Sequence, residues 1–304
     1  MGDPGATPLV SIGLAVYNGE RYLEEAIGSI LAQSYRNLEL IISDNASTDT
    51  TEAICRRFVA NDPRVRYYRN ATNIGGANNE NLTFTYARGK YFRWAAHDDV
   101  LAPTLIERCV ELMEARPEVV LCHSRVVVID AEGRPLHIIA HDAGSAPRPS
   151  ERLSRLAALD HRCEETYGLM RAEILRLTGL QRNYTDSDRT LLVHMSLYGP
   201  FYELPEPLFY RRIHPGASTV QFADWRQRMY WFGDEYRGRL NLPYLAQLAH
   251  YLELITLTPL SLEEKLRCYG HIIAWVLRYR RWKWLGKDLV LAGQSLVRKL
   301  VWQR

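Results

Sequence analysis

Apolar positions in the first 130 residues switch repeatedly between two periods. Residues 9–16 (LVSIGLAV) form a nearly continuous apolar run with small residues between, the pattern of a strand covered on both faces. Leu23, Ile27, Ile30 and Leu31 then recur at helical spacing, and residues 38–43 (LELIIS) predict a second buried strand. Asp49, followed three residues later by Glu52, has the form of a helix N-cap with its capping partner, opening a helix that carries Ile54 and Phe58. A short strand over 65–68, a helix over 78–88, a strand over 91–96, a helix over 103–116 and a long strand over 119–129 follow. The last ends in the turn Asp130-Ala131-Glu132-Gly133. Such alternation predicts an open α/β sheet with right-handed crossovers.

Open α/β sheets bind ligands beyond the carboxyl ends of their strands. Three polar clusters fall at those ends: Tyr17-Asn18-Gly19-Glu20, Asp44-Asn45-Ala46-Ser47 and His97-Asp98-Asp99. One cluster alone reads as turn chemistry and capping; three in register point to one site. Residues 134–155 hold several Gly, Pro and Ser without periodicity and predict a mobile loop or lid. Mixed structure returns over 156–214. From about residue 224 the pattern is helical and aromatic-rich, and the chain has no internal repeat.

Composition narrows this picture. At 304 residues and 47% hydrophobic content, one large core or two modest ones can be buried. A net charge of +3 is too small to imply a nucleic-acid partner, and none is expected. The charge is uneven, however. From Arg278 onward eight basic residues accompany one acid, Asp288, a net +7; the 30 basic and 34 acidic residues of 1–277 leave −4. Five scattered cysteines without a CxxC pair read as reduced and buried. Residues 1–8 contain no apolar signal region, and no apolar run approaches the roughly 18–20 residues that span a bilayer. A cytoplasmic protein is expected, peripheral to the membrane if the basic tail meets it.

Particular residues suggest chemistry. Asp98 and Asp99 follow a strand, and adjacent carboxylates repel unless a cation neutralises them. Oxygen ligands at a strand end suit Mg²⁺ or Mn²⁺ bridging to a diphosphate; the alternative is a helix cap at Asp99 and a solvated turn at Asp98. Asp186-Ser187-Asp188 precedes an apolar helix, where it could cap or supply a general base. His214 sits beside Arg211 and Arg212, natural partners of phosphate, though a lone histidine is commonly structural. Tyr17 at a strand end could stack on a base or simply pack.

Taken in order, these residues resemble the family 2 glycosyltransferases, an inverting family with the GT-A fold. The resemblance covers roughly residues 8–220. It rests on Val10-Ser11-Ile12 through Tyr17-Asn18 with Glu20, Ser43-Asp44-Asn45-Ala46-Ser47-Thr48-Asp49, and Asn73-Ile74-Gly75 with Asn81. Asp98-Asp99 with Pro103, Asp188, Glu206-Pro207-Leu208 and Tyr210-Arg211-Arg212-Ile213-His214 complete it. It implies a mixed, mostly parallel central sheet with helices on both faces, forming a catalytic domain over 8–220 with a helical, basic and aromatic-rich extension over 221–304. Tyr17 would flank the nucleotide base near Ala15, and Asp44 would meet the base edge, with Glu20, Asn73 and Gly75 in the same donor-binding motifs. Asp98 would ligate the metal, Mn²⁺ or Mg²⁺, supported by Asp99, with His214 reaching the metal or diphosphate. Gly168 resembles the small residue that lets backbone lie against the donor sugar, and Arg211 or Arg212 would face the diphosphate. Asp188 would be the catalytic base. The sequence departs from the pattern at Ala96, which replaces the first aspartate of Asp-x-Asp, at Ser187, which replaces an acid before the base, at Ala15, and at Glu80, where arginine is frequent.

The implied reaction is a single in-line displacement at the anomeric carbon. A nucleotide-sugar donor, a UDP-sugar by default, gives its sugar to a hydroxyl on a glycan or lipid-linked acceptor, in a setting of polysaccharide assembly. A nicotinamide oxidoreductase lacks its G-x-G-x-x-G at the first turn. A nucleotidyltransferase and a nucleotide-sugar-binding protein without turnover stay as alternatives. In the tail, Trp and Tyr interleaved with the basic residues over 272–304 could meet an anionic membrane surface, or could form a helical pair packed on the domain.

Overall fold

The structure, a computed structural model, describes residues 7–158, 163–217, 242–278, 281–290 and 292. The alternating periods become alternating elements: β1 (Val10–Val16), α1 (Leu23–Leu31), β2 (Leu38–Asp44), α2 (Thr51–Asn61), β3 (Val65–Arg69), α3 (Gly76–Thr85) and β4 (Tyr91–Ala95). After a two-residue β5 (Val100–Leu101) come α4 (Leu105–Ala115), β6 (Leu121–Ile129), β7 (Pro135–Ile139), α5 (Pro149–Ala158), β8 (Leu169–Arg171), α6 (Ala172–Arg176), α7 (Ser187–Tyr198) and β9 (Phe201–Arg212). Two further helices, α8 (Pro243–Leu257) and α9 (Leu262–Arg278), precede a helical stretch over 282–290.

The strands pair in the order β3-β2-β1-β4-β8-β6-β9-β5, with β7 beside β6. β3, β2, β1 and β4 are parallel; β8 runs against both β4 and β6, and β9 runs parallel to β6. The carboxyl ends of β1, β2, β4 and β9 therefore share one edge of the sheet. Alternate residues feed two cores. Ile12, Leu14, Tyr91 and Ala95 face α1 and α4, while Phe92 and Trp94 face α5 and α7. A Cβ on Gly13 would stand 2.2 Å from Thr83 Oγ1 and 2.8 Å from Phe92 Cζ, so α3 lies on β1 only because residue 13 is glycine.

The expected mobile loop over 134–155 is instead ordered as β7, a 3₁₀ turn (Ala143–Ser145) and most of α5. Its Gly, Pro and Ser residues mark the junctions between short elements. Leu153 and Leu156 are fully buried, and the Arg152 guanidinium donates to the carbonyls of Ser196, Ala146 and Pro147. The C-terminal helices join the same core. Tyr251, Leu254, Cys268, Ile272 and Trp275 are buried with α5 and α7, and the Trp275 indole donates to Ala157 O. Ile272 and Trp275 thus leave the set of residues expected at a membrane interface. Asp288 is also buried and accepts from the N–H groups of Tyr244 and Leu245, satisfying the first turn of α8.

Candidate active site

Two loops at the strand ends are laced together. Asn18, held at φ +51°, receives Thr48 N on its Oδ1 while its own N–H donates to Ser47 Oγ. Glu20 N donates to Asp49 Oδ2, and Glu20 Oε2 accepts from Thr50 N and Oγ1. Glu20, expected near the donor, is thus a brace between the loops. It takes the place predicted for Glu52, which pairs instead with Arg56 and Arg69. Asp49 still receives Thr51 N at the start of α2.

Asp44 has no exposed surface. Its Oδ1 accepts from Ser47 N and its Oδ2 from Tyr67 Oη at 2.6 Å, so in this conformation its side chain shapes the loop and offers a base edge no contact. Tyr17 projects from the edge with nearly half its surface exposed, and Ala15 beside it is partly open. Asn73 Oδ1 receives Asn45 Nδ2 and Gly75 N, and Gly75 adopts φ +84° at the entry to α3. A Cβ on Gly19 would meet His97 at 2.7 Å, which brings the β1 loop against the β4 loop.

The turn after β4 meets the end of β9. Asp98 Oδ2 lies 2.8 Å from His214 Nε2, and the His214 ring packs on Tyr22 at 4.8 Å between centroids. Burial disfavours the Asp98 anion, but the His214 hydrogen bond and the charges of His97 and His214 hold its carboxyl below the usual range. Asp99 behaves oppositely. Buried, and beside the Asp98 charge, its carboxyl is held well above the usual range. Its Oδ1 accepts Arg212 N at 2.8 Å, so Asp99, expected to support the metal, is turned onto the β9 backbone. Among the described residues no group of three or more His, Cys, Asp and Glu is arranged to enclose an ion. The partly accessible donors are one carboxylate and one imidazole, Asp98 and His214, which fits a cation that takes its other ligands from a diphosphate and water.

The two arginines differ. Arg212 is buried and donates to Asp98 O, Asp130 O, Ala131 O and Glu25 Oε2, with its guanidinium 4.6 Å from the Tyr22 ring. Expected at the donor, it is a strut between β4, β9 and α1. Arg211 is held by Glu164 Oε1 at 3.2 Å, and its buried Nε has no partner among the described residues. Gly168 has ordinary φ; a Cβ there would meet Leu121 at 2.7 Å and Glu165 O at 2.9 Å. Tight packing of the 3₁₀ turn (Glu164–Tyr167) on β6 is thus enough to require glycine.

Asp188 is the second residue of α7, entered through Asp186 at φ +68°. Burial first, then the charges of Glu80, Asp99, Asp98 and Asp188, hold the Tyr167 hydroxyl well above the usual range. Tyr167, Tyr22 and Glu25 were not singled out in the sequence. Tyr167 adjoins Gly168 in a motif that was; Tyr22 and Glu25 carried no signal beyond an ordinary helix start.

The family model described as glycosyl transferase family 2 matches residues 11–178. An uncharacterized glycosyltransferase of Haemophilus influenzae is 35% identical over 132 residues, 43% of this chain and 52% of that protein. Another, RP339 of Rickettsia prowazekii, is 35% identical over 139 residues, 45% of this chain and 42% of that protein. The chain therefore matches only about half the length of these curated relatives. Among solved structures, S. aureus TarS 1–349 superposes with a TM-score of 0.62 at 15% identity, covering 90% of this chain and 72% of that one. The Pyrobaculum calidifontis mannosyltransferase PcManGT, in complex with GDP-Man and Mn²⁺, gives 0.51 at 17% identity, covering 96% and 88%.

Proposed function

The chain belongs to glycosyl transferase family 2 and has the GT-A fold, and from that premise we propose that it is an inverting enzyme acting on a nucleoside-diphosphate sugar. The observation that carries this reading is the shared edge. There Asp98 and His214 meet, and the exposed Tyr17 ring stands at the end of β1. TarS structures with UDP and with UDP-GlcNAc, and the GDP-Man complex of PcManGT, support a nucleotide-sugar donor.

Asp98 and His214 would hold Mn²⁺ or Mg²⁺, which supplies charge neutralisation for the diphosphate when bound. Tyr17 would lie along the base, with Ala15, Asn73 and Gly75 forming the loops beneath it. Asp188 takes the acceptor hydroxyl proton as the bond to the anomeric carbon forms. Arg211, released from Glu164, would approach the departing diphosphate. The acceptor is a hydroxyl of a glycan or lipid-linked glycan. The setting is the cytoplasmic side of a membrane, reached through the exposed basic and aromatic residues of the C-terminal extension. Among the described residues no helix is long and apolar enough to cross a membrane.

The test is release of nucleoside diphosphate from UDP-, dTDP- and GDP-sugars with Mn²⁺, followed by Asp188→Asn on the active donor. Turnover is expected to fall by about 10²–10⁴-fold with donor binding retained. Turnover within threefold of wild type would remove Asp188 from this role.

A further inference from the structure

Glu80 lies on α3, deep in the protein yet partly open to solvent. Its Oε2 accepts from Gln181 Nε2 at 2.5 Å; among the described residues its other oxygen accepts nothing. The neighbouring Asn81 grips the same residue by its backbone, accepting Gln181 N on Oδ1 and donating Nδ2 to Gln181 O at 2.7 Å. The backbone of α3 is fixed in turn, because Trp94 Nε1, from β4, donates to Glu80 O. Three hydrogen bonds therefore clamp Gln181 to a helix that is itself bolted to the sheet.

The clamped residue sits in the segment that delivers Asp188. Leu180 at φ +55° and Asp186 at φ +68° bracket this segment, and both are non-glycine residues in the left-handed region. Each such residue costs on the order of 1 kcal/mol and persists only where its surroundings over-determine it. The far side is tied to α8 through Arg182–Glu253 and Tyr184–His250. Asp188 follows immediately, close enough that its charge acts on Glu80.

We propose that Glu80 is a positioning residue for Asp188: with Asn81 it fixes the strained segment through Gln181, and its carboxylate sets a second negative charge beside the base. The proposal rests on the reading of Asp188 as the base. A carboxylate beside an anion binds a proton more tightly, which is what abstraction of a hydroxyl proton requires. Burial, opposed by the Gln181 hydrogen bond and reinforced by the Asp188 charge, pushes the Glu80 carboxyl up to about 7. The groups facing it are Asp188 from α7 and Tyr167 from the 3₁₀ turn, which stays protonated. The Asp188 charge also acts on Cys163, Tyr184 and Arg189. Near neutral pH, ionisation of Glu80 then strengthens the base.

Glu80→Gln keeps an oxygen for Gln181 Nε2 and removes the charge; Glu80→Ala removes both. With the donor selected above, wild-type kcat is expected to rise as pH increases through about 7. Glu80→Gln is expected to lose that rise, matching wild type within about threefold at pH 6 and falling about 3–10-fold short at pH 8, with KM for donor little changed. Glu80→Ala is expected to lose turnover at both pH values. A second readout needs no substrate. A raised carboxyl keeps its proton in the folded state, so its stabilising contribution is lost as pH climbs through the folded value. The melting temperature of wild type is therefore expected to fall relative to Glu80→Gln between pH 6 and pH 8. If Glu80→Gln retains both the wild-type pH profile and the wild-type pH dependence of melting while Asp188→Asn loses turnover, this proposal alone is overturned. If Asp188→Asn keeps turnover, the base assignment falls and this proposal falls with it.

Discussion

Asp98 Oδ2 and His214 Nε2 lie 2.8 Å apart, joining the turn after β4 to the residues just past β9. The two elements are far apart in sequence, and β5, which follows that turn at once, pairs with β9 through Val100 and Tyr210. A cation placed between these side chains would replace their hydrogen bond. Chelator is therefore expected to abolish transfer, and Mn²⁺ or Mg²⁺ to restore it. His214→Ala is expected to raise the metal concentration for half-maximal activity by roughly 10–100-fold or more. Full turnover in EDTA would show that the protein's own cations suffice.

Arg211 and Arg212 are neighbours with opposite environments, and substitution is expected to separate them. Arg212→Ala leaves Glu25 and the carbonyls of Asp98, Asp130 and Ala131 without their donor. Urea unfolding is expected to show a loss on the order of 3 kcal/mol, the scale of leaving buried carbonyl acceptors without their charged donor. Arg211→Lys, which keeps a cation beside the buried Glu164 and removes the Nε that has no partner among the described residues, is expected to leave stability within about 1 kcal/mol and lower turnover instead. Equal losses of stability would assign both to the scaffold.

Much of the sheet was legible in the sequence because β1, β2 and β4 are covered on both faces, which writes an almost unbroken apolar run. The three polar clusters likewise fell at the carboxyl ends. What was not legible depended on contacts between distant segments. Nothing local distinguishes Arg212 from Arg211, and only the return of β9 beside the turn after β4 buries one and leaves the other at Glu164. The loop contacts of Asp44 and Glu20 were not legible either, because loop-building and ligand-binding use the same polar residues. The segment 134–155 misled for a related reason: Pro, Gly and Ser at junctions between short elements give the composition of a loop. Parts of the tail, including 279–280 and 293–304, and the start of the aromatic-rich region, 218–241, lie outside the described residues.

Acid is expected to destabilise the fold through two histidines that no proposed chemistry uses. Burial holds His194 and His250 down, each to about 4, with Arg182 also opposing their charge. Their folded values lie below the ordinary value of 6.5, so the unfolded chain binds more protons between pH 6.5 and 4. Stability is thus lost as pH falls through that window, by an amount on the order of 3 kcal/mol per histidine at about 1.4 kcal/mol per unit. His194→Phe, which also removes a buried Nε2 without a hydrogen-bond partner among the described residues, is expected to flatten the melting temperature against pH. An unchanged slope would place the acid sensitivity elsewhere.

The C-terminal helices divide the tail's aromatic residues into two sets, and only one can meet a membrane. Trp275 is buried against Tyr251, and Trp284 stacks on Tyr244 at 5.4 Å, with Lys287 Nζ 4.0 Å from the centre of the Trp284 ring. Ile273, Leu277, Trp282, Leu289 and Val290 are each more than half exposed, and Arg278, Arg281, Lys283 and Lys287 lie among them. Exposed apolar groups interleaved with cations suit an anionic interface, where each basic residue contributes about 1 kcal/mol and an indole favours the headgroup layer. Co-sedimentation with phosphatidylglycerol vesicles is expected at low salt, and not with phosphatidylcholine alone. Raising ionic strength is expected to weaken it, because the attraction is screened within about 10 Å at 0.1 M salt. Trp282→Ala combined with Ile273→Ser is expected to reduce binding without lowering the melting temperature, since neither side chain is buried, whereas Trp275→Ala is expected to lower that temperature. If the intact chain ignores anionic vesicles at low salt, the exposed face belongs to a protein contact and the basic residues serve solubility.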